Sequence, residues 1–168
     1  MKKTLIVIDM QNDFIDGSLG TSQAKAIVDN VKKKIDEYKA LGHEIIFTRD
    51  THGENYLDTP EGEKLPVIHC VKDSYGWQIA DGLYVDGAKI IDKPSFGWID
   101  WGKMSFDQIE LVGLCTDICV VSNALILKAA FPNSKISVDA NCCAGVTPDT
   151  HNAAILTMKM CQIDVTGE

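Results

Sequence analysis

An alternation constrains this fold more than any other feature of the chain. Short runs of β-favouring apolar residues recur, separated by polar links and amphipathic stretches. "TLIVID" (4–9), "EIIFTRD" (44–50), "AKIID" (88–92), "FDQIELVGL" (106–114), "SKISVDA" (134–140) and "QIDVTG" (162–167) hold six strands. The clearest of them are nearly continuous in apolar residues, the pattern of strands covered on both faces. Helical patterns lie between. From about Ser22, Ile27, Val31, Ile35 and Tyr38 recur on one face, with Lys32, Lys33 and Asp36 off it. "LGH" (41–43) resembles a glycine C-cap. "DICVVSNALILKAAF" forms a second helix stopped by Pro132 and Asn133, and "PDTHNAAILTMKM" (148–160) a third with Pro148 in its first turn. Such alternation predicts an α/β fold: a three-layer, six-stranded, mostly parallel sheet flanked by helices on both faces. The 168 residues suit a single domain, 1–168, with a sizeable core.

In parallel sheets of this kind ligands bind at the carboxyl ends of the strands, near the point where strand order reverses. Asp9 ends the first strand and Asp50 the second. Lys93 follows the third, and the Cys115–Cys119 turn follows the fourth. Asn141, Cys142 and Cys143 follow the fifth. Residues able to do chemistry, scattered in sequence, therefore fall at one edge. The link 51–80 is polar and rich in Gly and Pro, and loops of that length inside a compact domain are usually functional or disordered.

If the second helix starts near Asp117, Cys119 lies in its first turn. Unpaired N–H groups and the positive helix end favour a thiolate there. Asp9 could serve as its base, and the amides of the 115–119 turn as oxyanion donors. The plainer alternative is that both cysteines are small buried hydrophobes. A redox pair lacks the C-x-x-C spacing. Lys93 either pairs with Asp9 or snorkels to the surface.

Asp50 and His52, two apart on an extended segment, point to the same side. With His69 returning from the long loop they could bind zinc, iron or manganese, leaving positions open for water or substrate. Glu61 lies in the same loop and could reach the ion. The alternative is a solvated loop with ordinary histidines. In "DMQNDFIDGSLG" (9–20), Gln11 and Asn12 could fix loop geometry, and Phe14 is either a platform for a flat substrate or core. The spacing of its acids does not match an EF-hand. His151, Met158, Cys70, Cys142, Cys143 and Cys161 are expected to pack or face water. Trp77, Trp98 and Trp101 could line a pocket mouth or a subunit contact, and the sequence does not choose.

The net charge of −8, with no basic stripe, argues against duplex nucleic acid or anionic membrane as partners. No apolar stretch approaches the roughly 18–20 residues of a membrane span. The apolar run after Lys2 and Lys3 stops at Asp9, short of the roughly 7–15 residues of a signal-peptide core. A cytoplasmic location with reduced cysteines is the expectation.

Taken in order, "VIDMQNDF", Lys93 and "GLCTDICV" resemble the isochorismatase-like cysteine hydrolases across essentially the whole chain. "DMQNDFIDGSLG", D-x-H and the later "HC" are most similar to the nicotinamidase/pyrazinamidase branch. The resemblance implies a catalytic triad of Asp9, Lys93 and Cys119, and an oxyanion hole from the amides of Cys115 and Cys119. It implies a non-proline cis peptide at Leu114–Cys115. It also implies a divalent metal, zinc first and iron or manganese as alternatives, held by Asp50, His52 and His69 with Glu61 as a further ligand. The metal would bind the pyridine nitrogen of nicotinamide, and Phe14 would stack on the ring. No organic cofactor is implied. The expected partner is a small-molecule amide, and a homo-oligomer is compatible with the superfamily. The segment after Lys93, "PSFGWIDW", departs from the Tyr-Ser-Ala-Phe-like run common in nicotinamidases, so pocket shape is expected to differ.

Overall fold

The computed structural model describes residues 2–168. Six parallel strands form one sheet: β1 (Lys3–Ile8), β2 (Glu44–Asp50), β3 (Lys89–Lys93), β4 (Gln108–Leu114), β5 (Lys135–Ala144) and β6 (Asp164–Thr166). Their order is β3-β2-β1-β4-β5-β6. The chain builds outward on one side from β1 to β3 and on the other from β4 to β6, so the order reverses between β1 and β4. Successive β1 residues serve opposite faces, as the pleat requires. Leu5 and Val7 join one core cluster, and Ile6 and Ile8 the other.

The helices, in chain order, are a short α1 (Asn12–Ile15), α2 (Ser22–Ala40), a short α3 (Pro60–Lys64), α4 (Val121–Ala130) and α5 (Pro148–Met160). The α2 stripe of Ile27, Val31, Ile35 and Tyr38 is buried against Leu5, Val7, Ile45 and Phe47. Thr21 caps α2 by accepting from the Ala24 N–H, and Gly42 follows with φ +66°, a conformation glycine adopts without steric cost. On the other face, Ala124 and Leu127 of α4 and Ile155 and Met158 of α5 pack on Ile6, Leu111 and Val138. Thr147 and Thr150 form a capping box at the start of α5, with Pro148 in the first turn. Among the described residues no helix is long and apolar enough to cross a membrane.

Two expectations need correction. β5 runs to Ala144, so Asn141, Cys142 and Cys143 lie within the strand rather than after it. Asp139 accepts from the Asn141 N–H at 3.1 Å, and the strand bulges. Pairing with β4 stops at Leu111↔Val138 and resumes at Gly113↔Cys143. Polar residues in a bulge thus imitate a strand end. Trp101 is fully buried rather than at a pocket mouth; Trp98 packs edge-on against it at 4.8 Å. Trp77 is buried beneath the Arg49 guanidinium, 3.4 Å from its ring centre.

Candidate active site

The carboxyl ends of β1 to β4 converge on one buried cluster. Asp9 follows β1 in a left-handed turn, φ +47°, a conformation rare for a residue with a Cβ and often found at functional sites. Its Oδ1 accepts from the Thr48 hydroxyl of β2 at 2.6 Å. Lys93 ends β3, and register places it beside Asp50. Its Nζ lies 2.6 Å from Asp9 Oδ2, 3.6 Å from Asp50 Oδ1 and 3.4 Å from Cys119 Sγ, and donates to the Ser95 carbonyl at 3.1 Å. Asp9 and Lys93 are fully buried, so the snorkelling alternative for Lys93 does not hold.

Cys119 does not sit in the first turn of an ordinary α-helix. β4 ends in a cis Leu114–Cys115 peptide, and Thr116–Val120 form a π-wound turn that runs into α4. The Val120 N–H reaches the Cys115 carbonyl at 3.0 Å. Such turns are rare and cluster at functional sites. The turn is braced from outside: Thr116 Oγ1 lies 2.7 Å from His151 Nδ1, and Asp117 accepts from the Val146 N–H at 3.1 Å.

The electrostatics follow from burial. The Cys119 thiol is pushed well above its usual range, first by desolvation and then by Asp9, with Lys93 opposing. Asp9 is also raised, by burial first, with Lys93 opposing and Asp50 adding. Burial disfavours the Lys93 ammonium, but the carboxylates of Asp9 and Asp50 outweigh it and hold the lysine charged. The resting site therefore holds a neutral thiol beside an elevated carboxyl. Desolvation, then Asp117, raises the Cys115 thiol to about 12.

Next to this cluster stands a second. Asp50 Oδ2 lies 2.9 Å from His52 Nε2 and 3.6 Å from His69 Nε2. Glu61 Oε1, from α3, lies 3.6 Å from His52 Nε2 and 4.0 Å from His69 Nε2. One ligand atom from each of the four falls within 4.8 Å of the others. Metal–ligand bonds of about 2.0–2.2 Å in a tetrahedron require ligand atoms roughly 3.4 Å apart, which these separations bracket. His69 Nδ1 lies 2.7 Å from the Val67 carbonyl. Donating there would leave the Nε2 lone pair facing inward, as a ligating imidazole needs. Two acids this close also gain from a cation between them. The four residues fit a divalent metal. The Gln11 side chain fixes the strand beneath, accepting from the Asp50 N–H at 2.8 Å and donating to the Asp50 and Trp77 carbonyls at 2.9 Å each. Asn12 donates to the Tyr75 carbonyl.

A cavity of about 160 Å³ joins the two clusters. Asp50, Glu61 and His69 of the second cluster line it together with Cys115 and Cys119. Phe14 lines it too, 5.6 Å ring to ring from His69, while its other contacts pack against the core beneath α2. The remaining lining of Leu19, Thr21, Leu65, Phe96, Ile118 and Val146 escaped sequence reasoning. Five of these six are apolar and carry no chemical signature, and the six come from five separate segments. No tryptophan is among the lining residues. Thr48 was also missed, although its strand position beside Asp9 was readable once "EIIFTRD" was placed as β2. Cys70, Cys142 and Cys143 are buried and Cys161 is exposed, all unpaired, as expected.

Residues 3–167 match the Isochorismatase domain. The chain is 25% identical to a nicotinamidase/pyrazinamidase of Mycobacterium tuberculosis, over 97% of each chain. It is 31% identical to an Arabidopsis thaliana protein described as a "probable inactive nicotinamidase", over 92% of this chain and 87% of that one. Its fold is similar to the crystal structure of Pyrococcus horikoshii pyrazinamidase in complex with zinc, with a TM-score of 0.87, 24% identity and full coverage of both chains. With that match across nearly its whole length and the six-stranded fold to go with it, the chain belongs to the isochorismatase family.

Proposed function

We propose that this protein is an amidohydrolase that converts nicotinamide and water to nicotinate and ammonia through a thioester on Cys119. A single observation carries the chemistry: the buried Lys93 ammonium lies 2.6 Å from Asp9 and 3.4 Å from the Cys119 sulfur. A base, a cation and a nucleophile in mutual contact form the constellation covalent acyl transfer needs. The cavity, about 160 Å³, is small beside the roughly 300–1,000 Å³ of drug-sized sites and suits a single small ring.

The thiol is neutral at rest, so attack requires a base. Asp9 takes the thiol proton as Cys119 sulfur bonds to the amide carbon. Lys93 holds the growing negative charge near both groups, and the N–H groups of Cys115 and Cys119 receive the oxyanion. The C–N bond breaks as Asp9 returns the proton to the leaving ammonia. Water, deprotonated by Asp9, then attacks the thioester; the carbon–sulfur bond breaks, nicotinate leaves and the thiol is restored. Phe14 and Phe96 flank the ring. Asp50, His52 and His69, with Glu61, would hold a divalent metal, zinc first, which when bound supplies a Lewis-acid anchor for the ring nitrogen. Relatives named nicotinamidase support the amide substrate, and the zinc-bound neighbour supports the metal.

The test is ammonia release from nicotinamide by purified protein, with metal content measured on the same sample. Metal together with ammonia supports the assignment. Metal without ammonia, with Cys119 still selectively alkylated by iodoacetamide, moves it to another small amide. Metal with neither makes this a non-catalytic metal-binding module.

A further inference from the structure

Asn123 is fully buried on α4, one helical turn beyond Cys119. An asparagine side chain can donate two hydrogen bonds and accept two. Here all four are made. Nδ2 donates to the Cys119 carbonyl at 2.8 Å and to the Phe96 carbonyl at 3.0 Å. Oδ1 accepts from the Trp98 N–H at 3.0 Å and from the Trp101 indole N–H at 2.8 Å. Three of these partners lie on the segment that follows Lys93, the segment that carries the cavity wall at Phe96. The fourth is the backbone of the nucleophile. Gly97 sits between the anchored residues, and a Cβ there would come within 2.4 Å of Ile126 on α4. The wall segment thus lies directly on the helix, pinned by one amide.

We propose that Asn123 is a positioning residue: it holds the Phe96 wall at a fixed distance from Cys119 and so sets how the substrate ring sits against the sulfur. This rests on Cys119 being the nucleophile of the cavity. Asn123 touches neither substrate nor the reacting atoms. It acts through the two backbone segments it joins, and its full set of hydrogen bonds leaves little freedom for either to drift.

The test uses Asn123→Ala in the full chain. KM for nicotinamide should rise about tenfold with a smaller fall in kcat, because the wall contributes contact to ground state and transition state alike. Alkylation of Cys119 by iodoacetamide at fixed pH, followed by mass spectrometry, should quicken several-fold as the wall loosens. In a Phe96→Ala background the effect of Asn123→Ala on KM should largely vanish. A lower melting temperature with KM and alkylation rate unchanged would overturn the proposal, leaving Asn123 a structural residue. So would effects that simply multiply in the double variant. Should Asn123→Ala not fold, Trp101→Phe removes one of the four bonds while keeping a large ring. Its alkylation rate must then rise, and an unchanged rate counts against the proposal. If the wild type releases no ammonia from nicotinamide, the substrate assignment fails, while the alkylation measurements still decide the role of Asn123.

Discussion

Lys93→Met keeps an unbranched side chain, one atom shorter, and removes its charge. In the native fold Lys93 Nζ is wholly buried between Asp9 Oδ2 at 2.6 Å and Asp50 Oδ1 at 3.6 Å. The variant leaves two buried carboxylates facing each other without a cation. Breaking a buried ion pair by removing one partner costs about 3–5 kcal/mol. For a chain of this size about 2–4 °C of melting temperature accompany each kcal/mol, so a fall of roughly 6–20 °C is expected. Thermal unfolding followed by circular dichroism with chelator present reads the effect of the protein's own charges. The loss should depend on pH with a definite sign. Asp9 is already raised by burial, and losing Lys93 raises it further. A carboxyl that binds its proton more tightly folded than unfolded stabilises the fold fully below its unfolded value, near 3.9, and that contribution is lost as pH rises through its folded value. The deficit of Lys93→Met relative to wild type should therefore be smaller at about pH 5 than at about pH 8. Adding Asp9→Asn should restore much of the melting temperature and none of the activity. A variant within about 2 °C of wild type at both pH values would refute the idea that Lys93 neutralises this cluster.

Cys119→Ala should abolish ammonia release, whereas Cys115→Ala should largely keep it, because the proposed scheme uses only the backbone N–H of Cys115; an active Cys119→Ala sinks the thioester scheme. Chelation should remove activity and a divalent metal restore it, with His69→Ala lowering bound metal to well below one equivalent by elemental analysis. Gly113→Ala should destabilise strongly: φ is +120° there, and a Cβ would fall 2.1 Å from the Ile8 carbonyl oxygen. A loss above about 3 kcal/mol in denaturant unfolding is expected, and a near-neutral result would contradict the close approach of β1 and β4.

Much of this protein was legible in the linear chain because its signals are local and periodic. Short β-favouring runs, the clearest nearly continuous in apolar residues, placed the six strands, and helical spacing at Ile27, Val31, Ile35 and Tyr38 placed the buried face of α2. The carboxyl-end rule then gathered Asp9, Asp50, Lys93 and the Cys115–Cys119 turn on one edge before any distance was known. What stayed out of reach depends on contacts between distant segments. Spacing allowed Lys93 to be a surface residue; only the register of β3 against β2, with Asp9 beyond, makes it a buried cation. β5 looked finished at Ala140 because pairing across a bulge leaves no mark in composition. The apolar cavity wall and Asn123 carry no motif at all. Side-chain chemistry and periodicity are written residue by residue, whereas a distance such as the 3.4 Å between Lys93 and Cys119 is set by strand order and helix packing together.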